Sequence, residues 1–138
     1  CQVALSKREK LSIFGNNWPT KDGTCIRDFI HVMDLADGHI AALNYLNKKN
    51  EKESSYVAIN LGTGVGTSVL ELIEIFEKVN KLKINKHFAN KRLGDKAIVY
   101  ANADLAHKLL NWKSKRNIED MCKDGWNWQI KNPNGYDS

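Results

Sequence analysis

Only four arginines stand among the 21 basic residues of this chain, and two of them sit in stretches rich in turn formers. Arg27 lies in Gly23-Thr24-Cys25-Ile26-Arg27-Asp28-Phe29-Ile30-His31-Val32, and Arg92 opens Arg92-Leu93-Gly94-Asp95. A guanidinium is planar, permanently charged and carries five donors, so it suits a phosphate or a carboxylate. Asp95, three residues after Arg92, is a carboxylate that can accept from vicinal hydroxyls. Plainer uses are open too: Arg27 can pair with Asp28 or cap its loop, and Arg92 can form an internal ion pair with Asp95 on a surface turn.

A third candidate is the glycine turn Gly62-Thr63-Gly64-Val65-Gly66-Thr67, which follows an apolar run and precedes a helical pattern. It resembles a dinucleotide-binding fingerprint only superficially. Its spacing is G-x-G-x-G, Thr67 holds the third required position, and no acidic residue ends a second strand about 20 residues on. The turn reads instead as a device that aims a helix N-terminus at something anionic or polar. His31, His39, His87 and His107 do not combine with acids or cysteines at metal-ligand spacing. No nucleophile elbow or Ser-His-Asp order is present. The residues of this chain therefore point to anion binding without chemistry of their own.

The elements that must position these groups follow from periodicity. Leu11-Ser12-Ile13-Phe14 reads as a short strand, followed by a polar loop from Gly15 to Gly23 that is ordered by what it packs against. Residues 25–32 read as a strand, and Asp34 as the N-cap of a helix over about 34–47 with Leu35, His39, Ala42, Leu43 and Leu46 on its apolar face. Residues 48–55 form a charged surface loop. Tyr56-Val57-Ala58-Ile59-Asn60-Leu61 alternates like a strand. Ser68 and Glu71 make a capping box for a helix with Val69, Leu72, Ile73, Phe76 and Val79 on one stripe. Short strands at 84–88 and 98–100, a helix from about Asn102 to Leu110, and a last helix complete the chain. That last helix is capped by Asn117, buries Ile118, Met121, Cys122 and Gly125, and ends before Pro133. The four tryptophans read as core.

The bulk numbers agree with one soluble lobe. In 138 residues, hydrophobic content is 42% and charged content 27%, ordinary for a globular domain. No apolar run approaches the roughly 18 residues of a membrane span, and no signal peptide is seen. The formal charge of +5 is mostly lysine scattered along the chain, which reads as solvated surface and not as a nucleic-acid site. Three cysteines, odd in number and far apart, fit a reducing, cytoplasmic setting. A start at Cys-Gln-Val-Ala-Leu, without Met, reads as a fragment.

Taken together, Leu11-Ser12-Ile13-Phe14-Gly15-Asn16, the run from Asp22 through Ala36, Asn60-Leu61-Gly62-Thr63-Gly64, Arg92-Leu93-Gly94-Asp95, Leu110-Asn111-Trp112 and Trp126-Asn127-Trp128 resemble the C-terminal part of the UDP-glucose 4-epimerase family. That family lies within the extended short-chain dehydrogenase/reductase superfamily, and the match runs in order through nearly the whole chain. The resemblance implies an α/β fold: the C-terminal lobe of an extended short-chain dehydrogenase/reductase, short strands with about four helices, its Rossmann NAD domain missing. It implies one UDP-sugar-binding lobe over 1–138, part of an enzyme that interconverts UDP-glucose and UDP-galactose in galactose metabolism. There a hydride passes from sugar C4 to bound NAD and returns to the other face of a 4-keto intermediate.

The resemblance also implies site residues. Ser12, Ile13 and Phe14 are similar to the segment that holds uracil, and Arg27 and Arg92 to the pair that grips the diphosphate. Asp95 is similar to the acceptor for the ribose hydroxyls, and Val69 to an apolar contact with the nucleotide. Val99 is similar to the residue that lines the sugar pocket, where a tyrosine marks relatives restricted to glucose and galactose and a smaller residue marks relatives that also take N-acetylated sugars. Tyr100 is the alternative occupant of that position. Phe29 stands where a tyrosine is common. The catalytic Tyr-x-x-x-Lys and the NAD loop belong to the missing N-terminal domain; Tyr45 and Lys49 have that spacing by chance, at the end of a helix resembling a non-catalytic one. The implied partners are UDP-glucose, UDP-galactose and UDP-N-acetylglucosamine, NAD on the missing domain, and a second copy in a full-length homodimer, with no nucleic acid and no membrane. The alternatives are another NAD-dependent nucleotide-sugar epimerase or dehydratase, and a non-catalytic nucleotide-binding or interaction module.

Overall fold

The computed structural model describes residues 1–48 and 56–136. Lys49, and with it nearly all of the charged loop expected at 48–55, lies outside the described residues. The elements are β1 Leu11–Phe14, β2 Ile26–Arg27, α1 Val32–Asn47, β3 Thr67–Ser68, α2 Val69–Asn80, β4 Lys86–Ala89, β5 Ile98–Val99, α3 Asp104–Leu110 and α4 Ile118–Lys131. This is a mixed α/β lobe with short strands and, among the described residues, four helices. β1 pairs with β4 in parallel, and β2 lies between antiparallel β3 and parallel β5. No helix of the described residues is long and apolar enough to cross a membrane.

The core is where β1 meets α2. Ile13, the inward residue of β1, packs with Ile73 and Ile84, and Val69, Leu70, Phe76 and Leu82 close around them. α2 begins at the expected capping box: Ser68 accepts from Glu71 N, and the Glu71 side chain returns to Ser68 N. α4 begins the same way with Asn117 and Asp120. The two helices pack together with Phe76 edge-on to Trp126, ring centres 6.1 Å apart. Burial, followed by the nearby Glu119 charge, pushes the Cys122 thiol on α4 up to about 11, so this cysteine serves as a small apolar core residue. Gly125 was expected to be buried on α4 and is exposed, because nothing packs within 4 Å of where its β-carbon would stand.

Three expectations are corrected. First, the strand expected over 25–32 pairs only at Ile26 and Arg27, because neighbours exist for those two positions alone. Second, α1 is capped by His31, whose side chain accepts from Met33 N. Asp34 lies in the first turn and is 1% exposed; it accepts from Lys115 N and Arg116 N, both at 2.9 Å, and from the Arg116 guanidinium. α1 therefore faces inward with Asp34 and Gly38, while Leu43 and Leu46 of the expected apolar face are 61% and 57% exposed. Third, residues 56–61 belong to no strand and carry no ladder among the described residues, since alternation makes a strand only when a neighbour supplies the hydrogen bonds. Of the tryptophans, Trp112 is buried and donates to Asp34 O, whereas Trp128 is substantially exposed beside Tyr136.

Candidate functional site

β2 is the axis of the site. Its two residues are held on both sides: Ile26 is opposite Ser68 and Ile98, and Arg27 is opposite Thr67 and Val99. Directly opposed residues project to one face of a sheet, so Arg27 and Val99 share a face. Ile26 projects to the other, and a β-carbon on Gly66 would lie 2.7 Å from Ile26 and 3.1 Å from the Tyr100 ring. Tyr100 thus leans against Gly66 on the Ile26 side, and Val99, half exposed, is the residue beside Arg27.

The second cation arrives from the loop after β4. Gly94 has φ +87, a value that suits glycine in a tight turn, and Asp95 N donates to Arg92 O across that turn. The turn folds the Arg92 side chain onto Asp95, with Nε 2.9 Å from Oδ2 and Nη2 3.3 Å from Oδ1. Arg27 Nη2 stands 4.0 Å from the same Oδ1, while Arg27 Nη1 donates to its own strand at Ile26 O. One carboxylate, 19% exposed, thereby lies between two guanidiniums. Arg92 also covers Phe14 at the end of β1, its Cζ 4.5 Å from the ring centre. One residue earlier, Lys91 Nζ lies 4.2 Å over Trp18 and donates to Asn17 O, and Trp18 Nε1 donates to Phe14 O at 3.0 Å. These paired cation and ring contacts order the loop after β1.

Asp28 does not pair with Arg27. Its carboxylate accepts from Thr63 N and Oγ1, Gly64 N and Ala101 N, tying the glycine turn and the end of β5 to β2. Burial would raise its pKa, but these hydrogen bonds outweigh it and hold the carboxyl below the usual range. The anion-seeking helix N-terminus is a correction as well. Val69 N donates to Cys25 O, Leu70 N to Thr24 Oγ1 and Glu71 N to Ser68 Oγ. With its first donors spent inside the protein, α2 presents no free N–H to a ligand. Asp22 completes this anchor by accepting from Thr24 and from the Ser68 hydroxyl.

Of the residues singled out from the sequence, Phe14, Arg27, Arg92, Asp95 and Val99 come together. Ile13 does not present its side chain with them, being 2% exposed in the core, and Val69, half-buried at the start of α2, packs against it. Ser12 lies opposite His87 with Oγ 3.2 Å from Nε2. Sequence reasoning missed Trp18 and Lys91. The only available signal was the placing of an aromatic four residues after Phe14 in a glycine loop and a second cation next to Arg92. Asp22 gave no signal, because its partner Ser68 is 46 residues away. Among the described residues no group of acids, histidines and cysteines could hold a metal ion.

Comparison with known proteins gives a consistent picture. The family described as GDP-mannose 4,6 dehydratase matches residues 1–125. A UDP-glucose 4-epimerase of Drosophila melanogaster is 50% identical over 135 residues, covering 98% of this chain and 38% of its own length. The crystal structure of UDP-glucose 4-epimerase from Bifidobacterium longum in complex with NAD+ and UDP superposes with a TM-score of 0.88 at 43% identity, over 98% of this chain and 39% of that one. The UDP-Glc/GlcNAc 4-epimerase of Campylobacter jejuni superposes with a TM-score of 0.79 at 39% identity, over 94% and 38%. The chain thus spans less than two-fifths of the length of these relatives.

Proposed function

We propose, from the premise that this chain belongs to the GDP-mannose 4,6 dehydratase family, that residues 1–138 are the UDP-sugar-binding lobe of a UDP-glucose 4-epimerase. The observation that carries this reading is the convergence of Arg27 and Arg92 on one carboxylate beside an exposed aromatic ring. In it, Arg27 and Arg92 grip the diphosphate, each charge-assisted bond contributing about 1.5–3 kcal/mol. Asp95 accepts from the ribose hydroxyls, and the Phe14 ring with the β1 backbone at Ser12 and Ile13 holds the uracil. Val69, half-buried beside Ile13, gives the nucleotide an apolar contact. Val99 borders the sugar, and an isopropyl group there leaves room for an N-acetyl arm, so UDP-N-acetylglucosamine is a substrate beside UDP-glucose and UDP-galactose.

NAD does not fit the residues described here. The one glycine-rich turn spends Thr63 N and Gly64 N on Asp28, so no cradle of free donors is left for a pyrophosphate. The cofactor and the groups that move protons therefore belong to the remainder of a longer, cytoplasmic protein acting in galactose metabolism as a homodimer. That remainder also covers the apolar side of α1, where Val32, Ile40, Leu43 and Leu46 are all more than half exposed, and pairs with the run 56–61. The full-length protein supplied with NAD is expected to convert UDP-galactose to UDP-glucose, and residues 1–138 by themselves to convert none. Absence of turnover in the full-length protein, or turnover by this chain alone, overturns the reading.

A further inference from the structure

Asp95 is engaged twice inside the protein. Both of its oxygens accept from Arg92, and Oδ1 also lies 4.0 Å from Arg27. The carboxylate therefore occupies the position between the guanidiniums that an anionic group of a ligand would take, and it offsets one of their two positive charges. An anion that takes the forked Nε and Nη2 donors of Arg92 must displace Asp95 from them, and between the two guanidiniums it competes with Asp95 for Arg27 as well. A carboxylate left there without donors would then face the incoming phosphates as a like charge, at a site only 19% exposed for that side chain, which is a cost. A ligand that brings its own donors removes the cost. Vicinal hydroxyls do so, because a carboxylate can accept from both.

We propose that Asp95 is an internal competitor for Arg27 and Arg92, so that the site rejects bare phosphates and admits a nucleoside diphosphate whose ribose rehouses the displaced carboxylate. This deepens the UDP-sugar reading above and rests on it. Asp95 is then a specificity element that works by repulsion as well as by attraction, distinct from a carboxylate that only adds hydrogen bonds. Arg92 is placed for the exchange: its guanidinium lies on the Phe14 ring, a contact that does not need Asp95, so the cation stays in place when the carboxylate leaves.

The test is calorimetric titration of the full-length protein with inorganic pyrophosphate, UDP and 2′,3′-dideoxy-UDP, in wild type, Asp95→Asn and Arg27→Ala. Asp95→Asn is expected to bind pyrophosphate about tenfold more tightly than wild type, the loss of one charge-assisted contact expressed as a ratio. It is also expected to erase most of the preference of wild type for UDP over the dideoxy analogue. Pyrophosphate binding that is unchanged or weaker in Asp95→Asn overturns the exchange. If UDP binding still depends on Arg27 in that case, the UDP-sugar reading survives; UDP binding indifferent to Arg27→Ala overturns both. Should Asp95→Asn fail to fold, wild type carries the test, because equal affinity for UDP and the dideoxy analogue contradicts a carboxylate rehoused by ribose.

Discussion

A β-carbon placed on Gly62 would stand 2.6 Å from Asp28 Oδ2 and 2.5 Å from the Ala101 side chain. Asp28 cannot retreat, because Thr63, Gly64 and Ala101 all donate to it. The glycine at 62 is therefore required by close approach, which is a different requirement from the phosphate cradle that the glycine-rich run superficially resembles. Gly62→Ala is expected to destabilise the full-length protein by about 1–3 kcal/mol. A matched change at Gly125, where a β-carbon meets nothing within 4 Å, is expected to be neutral or stabilising. Urea midpoints of the two variants check this.

Asp34 gives the largest expected loss. It is 1% exposed and accepts from two backbone donors and the Arg116 guanidinium. Asp34→Ala leaves those donors without an acceptor and is expected to cost at least about 3 kcal/mol, whereas a helix cap in its ordinary setting contributes about 1 kcal/mol. A thermal unfolding series separates the two sizes, and a cap-sized loss contradicts the buried anchor.

Acid should weaken the fold through four carboxylates, Asp22, Asp28, Asp34 and Glu77, each held below its ordinary pKa. The Ile84 N–H first, then the adjacent lysines, hold Glu77 below its ordinary value against burial. For Asp22, Asp28 and Asp34 burial acts upward, and the hydrogen bonds each accepts outweigh it. A carboxyl with a depressed folded-state pKa contributes stability that is present above its unfolded value and lost as pH falls through the folded one. Chemical denaturation is therefore expected to show little change from these groups between about pH 8 and 5 and a falling midpoint below about pH 4. Asp34→Asn is expected to make that acid limb shallower, and an unchanged limb would count against this assignment.

Local chemistry in the sequence revealed what local chemistry decides. The capping box of Ser68 with Glu71 and the Asn117 cap of the last helix rest on residues within one turn of each other and could be seen at once; that Asp120 completes a second box is added by the structure. Arg27, Arg92 and Asp95 could be singled out by residue type and turn context. What stayed hidden depends on partners far along the chain. The role of Asp34 is set by Arg116, 82 residues later, so its position before a helix pattern pointed to a cap. The N-terminus of α2 is occupied by Thr24 and Cys25, which no spacing within the helix discloses. The run 56–61 alternates as a strand should, yet a strand is a property of a pair.

In the proposed function, Val99 is the residue that sets how large a sugar the site takes. It is the register partner of Arg27, half exposed, while Tyr100 leans on Gly66 toward the opposite face. In the full-length protein, Val99→Tyr is expected to cut kcat/KM for UDP-N-acetylglucosamine about tenfold or more and to leave UDP-glucose turnover within a few-fold. Equal loss of both substrates, or no activity on the N-acetylated sugar in wild type, contradicts this assignment.

The most direct measurement is UDP affinity of the full-length protein in wild type, Arg27→Ala and Arg92→Lys. Arg27 comes from β2 and Arg92 from the loop after β4, and the two meet at Asp95, so both variants must weaken binding if the two form one diphosphate clamp. Arg27→Ala is expected to lose about tenfold or more. Arg92→Lys is expected to lose affinity as well, because an ammonium keeps the charge but neither the forked geometry nor the stacking on Phe14. UDP bound equally well by wild type and both variants would contradict the clamp.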